Sequence, residues 1–207
     1  MKYDIIYADP PWSYRVWSKK GNGRSGSAIS HYPVMDKKSL QELPISSIAS
    51  DNSVLFLWVT PPTLEEGLEL IKKWGFTYKT KGFTWVKRNK VADSWFWGMG
   101  YYTRANSEDC LIATRGNILP RQSRGVHQVI GDVDDLKVSS FDPILIDRIM
   151  QHSEKPAIVR DKIVELFGDL PRVELFARQR VDGWDAIGYD IDGKDIREVL
   201  NEGRGEI

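Results

Sequence analysis

Cysteine is almost missing from this chain of 207 residues: Cys110 stands alone, so no intramolecular disulfide can form. Histidine is nearly as scarce, and His31, His127 and His152 have no metal-ligand spacing with Cys110 or with one another. A reduced, metal-free, cytoplasmic protein is the expectation. An excess of charge of either sign is also lacking, since Lys+Arg and Asp+Glu both number 29. The sum therefore gives no whole-molecule attraction to a polyanion. No apolar run approaches the roughly 18 residues of a membrane span. The opening residues 1–9, short and interrupted by acids, are not expected to act as a signal peptide. Internal repeats are absent as well.

What is present is a globular composition, 41% hydrophobic and 28% charged, from which a single domain over residues 1–207 with one sizeable core is expected. The charge is unevenly placed. Lys19, Lys20, Arg24, Lys37, Lys87, Arg88, Lys90, Arg104, Arg115, Arg121 and Arg124 fall in segments that read as loops, whereas residues 182–206 are mainly acidic. A neutral chain can thus still present a basic face. Eight tryptophans are many for this length, and Trp12, Trp17, Trp85, Trp95 and Trp97 stand beside glycines or charges. Flat aromatic surface near polar loops suits a planar ligand, while the bland alternative makes about half of the tryptophans core.

Strand and helix patterns alternate along the chain. Residues 5–8 read as a short buried strand stopped by Pro10 and Pro11, which cannot continue a central ladder. Residues 13–36 are long for a structureless connection and read as a lid or binding element. A short helix is expected over 37–43, a buried strand of parallel-sheet type over 54–59, and a helix from Pro61 to about Trp74. Strands are expected at 83–86, 109–114, 172–177 and 184–188, and amphipathic helices at 141–151 and 157–167. The alternation predicts an α/β fold with a mostly parallel sheet. Ligands of such folds bind outside the carboxyl ends of strands, here the loops after Ala8, Val59, Val86, Ala177 and Gly188.

Asp9-Pro10-Pro11-Trp12 is the most informative tetrapeptide, because it sets a carboxylate, a rigid donor-less backbone and an indole at the end of the first strand. The arrangement fits methylation of an aromatic amine such as the N6 amino group of adenine. That nitrogen is a poor nucleophile because its lone pair is delocalised into the ring. If Asp9 accepts one N–H and the Pro10 carbonyl the other, the nitrogen is drawn toward a tetrahedral shape and its lone pair is freed. Prolines fix the carbonyl, and Trp12 either stacks on the base or walls the pocket. The alternative is a plain strand-ending turn.

The ordered set of Asp9-Pro10-Pro11-Trp12, His31-Tyr32-Pro33-Val34-Met35, Leu55-Phe56-Leu57-Trp58-Val59-Thr60, Thr84-Trp85-Val86-Lys87, Glu108-Asp109-Cys110-Leu111, His152-Ser153-Glu154-Lys155-Pro156 and Glu174-Leu175-Phe176-Ala177-Arg178 resembles the MT-A70 family of adenine-N6 methyltransferases. The resemblance runs over nearly the whole chain. It implies a Rossmann-like fold in permuted order, with the catalytic strand first and the S-adenosylmethionine strand last. Glu174 to Arg178, with Phe176 among them, would form the cofactor strand and its loop. Ala177 stands where other methyltransferases often have glycine, so a search for the glycine-rich dinucleotide motif would miss it. The resemblance also implies that Lys155 pairs with the cofactor's carboxylate, as its place before Pro156 and a helix N-terminus favours. Arg178 and Arg180 would lie near the ribose, and Asp190 is either a ribose acceptor or a surface turn. Tyr32 resembles the family's adenine-contacting tyrosine, with Trp85 and Lys87 on the facing strand. The connection over 131–151 is longer than is usual in the family.

Lys19, Lys20 and Arg24, with the other basic loops, are the expected contacts to phosphates while a flipped or single-stranded adenine enters the Asp9 pocket. DNA is the favoured substrate and RNA the alternative; a homo-oligomer or a partner subunit is compatible with either. A catalytically silent nucleic-acid-binding or partner-binding subunit of the same fold, and cytosine-N4 methylation, remain competing readings.

Overall fold

A computed structural model of the chain describes residues 1–13, 35–89, 94–129, 146–148 and 155–202. Their centre is a seven-stranded sheet in the order β5-β3-β4-β2-β1-β6-β7. In chain order the elements are β1 Tyr3–Ala8, α1 Lys37–Gln41, α2 Ile45–Ile48, β2 Ala49–Val59, a 3-10 turn at Pro61–Thr63, α3 Leu64–Lys73, β3 Thr77–Arg88 and β4 Ser107–Arg115. They continue with β5 Ile146–Arg148, α4 Ile158–Phe167, β6 Arg172–Leu175, β7 Asp185–Ile187, α5 Tyr189–Asp192 and α6 Ile196–Glu202.

The apolar runs are central strands because both of their faces are covered. Ile6, Ala8, Leu55, Leu57 and Val59 point to one side, where Leu40, Leu70, Ile71, Trp74, Ile196 and Leu200 of α1, α3, α6 and their flanks pack on them. Ile5, Tyr7, Val54, Phe56 and Trp58 point to the other side, against Val159, Ile163 and Phe167 of α4 and against Trp184. Successive strand residues face opposite ways, so an unbroken apolar run fills two cores at once. The 3-10 turn starts on two prolines, which need no amide partner at a helix start, and Thr60 and Thr63 close it as a reciprocal cap.

The sheet is mostly parallel, as expected: β1, β2, β6 and β7 pair in parallel, and so do β3 and β5, while β4 runs antiparallel to both β2 and β3. One sequence expectation is corrected. Residues 146–148, expected within a helix over 141–151, are a strand instead, because they find the open edge of β3, with Val86 opposite Ile146 and Arg88 opposite Arg148. The acidic C-terminal stretch also holds α6, whose Ile196 and Leu200 lie one turn apart and are both buried. None of the helices among the described residues is long and apolar enough to cross a membrane.

Candidate active site

The antiparallel run of β4 decides what gathers at the end of the sheet that carries Asp9. The carboxyl ends of β1, β3 and β6 meet there with the amino end of β4, so Glu108 faces the same rim as Asp9, Lys87 and Phe176. Glu108 lies opposite Trp85 in the ladder and is 5% exposed. One of its oxygens, Oε1, accepts from the Lys87 ammonium. The other, Oε2, pairs with Lys155 Nζ at 3.1 Å, and Lys155 Nζ donates in turn to Asp9 Oδ2 at 2.8 Å. A chain of alternating charges, Lys87, Glu108, Lys155, Asp9, thus links the ends of β3, β4 and β1. Each buried charge has an opposite neighbour, which is the condition for burying it at all.

The electrostatics follow from this order. Burial pushes the Asp9 carboxyl above its ordinary value; Lys155 pulls against that, and Glu108 adds to it. Burial also acts on Glu108, but Lys155 and Lys87 together hold its carboxyl below the ordinary glutamate value. Burial would strip the proton from Lys155, yet Asp9 and Glu108 raise it well above an ordinary lysine, so it stays an ammonium. Its ammonium also rests 5.6 Å from the Trp58 ring centroid.

The loop after β1 is built tightly. The Trp12 N–H donates to the Pro10 carbonyl at 2.8 Å, and the Met35 N–H donates to the Pro11 carbonyl at 3.2 Å. Trp12 is buried, and its indole Nε1 donates to the Trp58 carbonyl at 3.1 Å. Of the two roles the sequence leaves open for Trp12, this packing suits the wall rather than the stacking platform. Pro10 keeps its second carbonyl lone pair beyond the one that Trp12 takes.

Beside Asp9 lies a cleft lined by Lys155, Arg160, Glu174, Phe176, Arg178 and Gln179. Arg160 on α4 reaches both oxygens of Glu174 at 3.2 Å, and burial pushes the Glu174 carboxyl up against the pull of Arg160. Phe176, which leaves β6, has φ of 61°, a left-handed conformation rare for an aromatic residue. The next turn of backbone comes from β7. A Cβ on Gly188 would fall 2.1 Å from the Ala177 carbonyl oxygen, so only glycine fits there. The donor set holds anions, cations and a ring, which fits a zwitterionic nucleoside such as S-adenosylmethionine.

The expected site residues are therefore partly assembled. Asp9, Pro10, Pro11, Lys155, Phe176 and Arg178 converge on one rim, and Lys87 joins them through Glu108. Trp85 is corrected: it is 1% exposed and packs edge-on to Trp58 at 6.4 Å, so it supports Lys87, whose ammonium lies 5.0 Å from its ring, rather than offering a face to a substrate. The bland alternative of a solvated Lys155 is also overturned, since it is 8% exposed. Arg180 pairs with Asp192 at 2.7 Å outside the cleft lining, and Asp190 is exposed on α5. Tyr32, Lys19, Lys20 and Arg24 lie outside the described residues. Glu108 is the site residue that sequence reasoning left without a role. The signal was its spacing of two from Cys110, which puts both on one face of β4.

The profile of the MT-A70 family matches residues 3–190. The chain is 35% identical to the Type II methyltransferase M.MunI of Mycoplasma sp, over 98% of this chain and 83% of that protein. It is 25% identical to the N(6)-adenosine-methyltransferase MT-A70-like protein of Arabidopsis thaliana, over 97% of this chain and 25% of that one. It is also 25% identical to the N(6)-adenosine-methyltransferase catalytic subunit METTL3 of Homo sapiens, over 93% of this chain and 29% of that one. The chain thus spans most of the first relative and under a third of the other two. With the ordered motifs, the sheet that gathers them and a profile match across nearly the whole chain, the protein belongs to the MT-A70 family of S-adenosylmethionine-dependent methyltransferases.

Proposed function

We propose that this protein methylates the N6 amino group of adenine in DNA. The observation that carries the reading is Asp9, set at the tip of β1 before two prolines and held through Oδ2 by an ammonium that Glu108 also grips. S-adenosylmethionine, when bound, supplies an electrophilic methyl carbon. Phe176, Arg178, Glu174 and Gln179 are the residues proposed to hold it, on the rim of β6. Lys155 has a double assignment. It orients Asp9, and it also lines the cleft with Phe176 and Arg178, where its ammonium would face the cofactor's carboxylate.

The chain's part is positioning. With Oδ2 committed to Lys155, the Oδ1 oxygen of Asp9 is the proposed acceptor for one N–H of the target amine, and the Pro10 carbonyl for the other. Two acceptors fixed in advance localise the nitrogen lone pair at no cost in reorganisation when the reaction occurs. Burial makes Asp9 a stronger acceptor than a solvated carboxylate. Trp12 closes the floor and keeps water from the reacting amine. Tyr32, Lys19, Lys20, Arg24 and Lys87 are proposed on the substrate side, and Arg180 and Asp190 at the ribose edge of the cofactor.

DNA is preferred because the match covers 83% of the Type II methyltransferase and only 25% and 29% of the two N(6)-adenosine-methyltransferases, so the former is the better guide. A silent subunit would have no chemical need for Asp9 and its buried ammonium. The test is mass spectrometry of nucleosides from DNA and from RNA incubated with protein and S-adenosylmethionine, with Asp9→Ala in parallel. N6-methyladenine in DNA from the wild type and none from the variant is the expected result. Methylated adenosine in RNA alone would move the substrate, N4-methylcytosine would replace the base, and no product in either would sink the reading.

A further inference from the structure

The hairpin between β3 and β4 carries an aromatic surface that the methyl-transfer site does not use. Trp95, Trp97, Met99, Tyr101 and Tyr102 are exposed by 38%, 57%, 87%, 77% and 93%. The display is structured. The Gly98 N–H donates to the Ala105 carbonyl at 2.7 Å and the Lys87 N–H to the Asn106 carbonyl at 2.8 Å, while Arg88 bridges to Trp95. At Gly100 a Cβ would fall 1.9 Å from the Thr103 carbonyl oxygen, so the tip is closed around a residue without a side chain. Backbone order spent on holding rings in water calls for an occupant.

Building on the reading of the site as a nucleic-acid adenine methyltransferase, we propose that this hairpin stacks unpaired bases of the strand that carries the target adenine. Three observations select that occupant. The exposed side chains are mostly flat rings, which match planar bases, and base–aromatic stacking tolerates any sequence. Residues 94–106 contain no carboxylate, while the Arg88 guanidinium lies 5.9 Å from the Trp95 ring and Arg104 donates to Met99 Sδ at 3.7 Å. Rings interleaved with cations suit a chain of bases and phosphates. The hairpin is also continuous with the site, because the Lys87 ammonium lies 6.0 Å from the Phe96 ring while pairing with Glu108. A strand laid over the rings is led toward Asp9. Bases stacked inside a duplex present no faces, so the surface serves a single-stranded or locally opened segment.

The test measures binding of the full chain, by fluorescence anisotropy, to an adenine-containing single-stranded DNA of mixed sequence and to an abasic deoxyribose-phosphate strand of equal length. Tyr102→Ala and Trp97→Ala should each weaken binding to the base-bearing strand about tenfold, in the lower half of the range for one stacked base. Neither should change binding to the abasic strand, and Tyr102→Phe should keep the wild-type affinity. Arg104→Ala should weaken both strands and reduce the salt dependence. Equal losses on both strands, or no loss, would overturn the proposal. So would an aromatic variant that changes the sedimentation of the free protein and not its DNA affinity, since the rings would then cover a protein partner. If the wild type methylates adenine and the variants bind normally, only the hairpin assignment fails; if the wild type methylates nothing, the parent reading has failed first.

Discussion

Replacing Glu108 by Gln tests whether the four charges at the rim act as one network. The substitution keeps the shape and removes the carboxylate that touches both Lys87 and Lys155. Breaking a buried pair by removing one partner costs about 3–5 kcal/mol. Two features place this case at or below the low end: Lys155 keeps Asp9 at 2.8 Å, and the Lys87 side chain is 16% exposed and can reach water. The expected loss is about 2–3 kcal/mol at pH 7, or roughly 4–12 °C in Tm for a chain of this size. The pH dependence follows from the direction of the shift. The folded Glu108 carboxyl lies below its ordinary value of 4.5. Its contribution is therefore complete above that value and is lost only as pH falls through the lower, folded value. Urea denaturation at pH 7 and pH 5.5 should give the same difference between wild type and variant, with an unchanged m-value. A midpoint equivalent to the wild type at pH 7 would refute the network. A difference that halves by pH 5.5 would show instead that Glu108 is not held ionised by its lysines.

The remaining expectations concern catalysis and close packing. The Asp9 carboxyl is pushed above its ordinary value of 3.8 by burial and by Glu108, so the acid limb of the methyl-transfer rate should have its midpoint above that value. In Glu108→Gln it should move to lower pH, and a limb at or below 3.8 in the wild type would separate Asp9 from the rate. Gly188→Ala places a Cβ 2.1 Å from the Ala177 carbonyl oxygen, and although the backbone there is extended and open to any residue, the clash must move the chain. A loss of about 2–3 kcal/mol by thermal unfolding is expected, together with weaker S-adenosylmethionine binding by calorimetry; an unchanged protein would show that the close approach is dispensable.

Much of this architecture can be read along the chain, and the exceptions have a common cause. The runs in β1 and β2 declare buried strands because both of their faces are apolar, and the 3.6-residue spacing of Leu64, Leu68 and Ile71 declares α3. Strand direction has no such local mark. The segment Asp109–Thr114 reads as a strand whichever way it runs, yet only the antiparallel orientation delivers Glu108 to the rim of Asp9. The pair of Lys155 and Asp9 spans 146 positions of sequence and is likewise a product of topology. Trp85 could have been placed from parity, because it shares a face with Phe83 in β3 and both are buried. Residues 146–148 carry helical spacing, but an unpaired sheet edge overrides local preference once it is within reach.

The rim proposed for the cofactor shows the same division in its sharpest form. Glycine-rich nucleotide sites obtain a close backbone approach from glycines along one segment, which a linear motif can find. Here the two requirements are separated. The left-handed turn after β6 is taken by Phe176, at a strain of order 1–3 kcal/mol for a non-glycine residue, and the ring it retains lines the cleft. The close approach is supplied from another strand, by Gly188 after β7 against the backbone of Ala177. The amide of Ala177 donates to the Ile187 carbonyl at 3.1 Å, which ties the two segments together beside Phe176. A surface that a glycine motif makes from one loop is made here from two. It can therefore keep an aromatic face where the usual motif has only backbone.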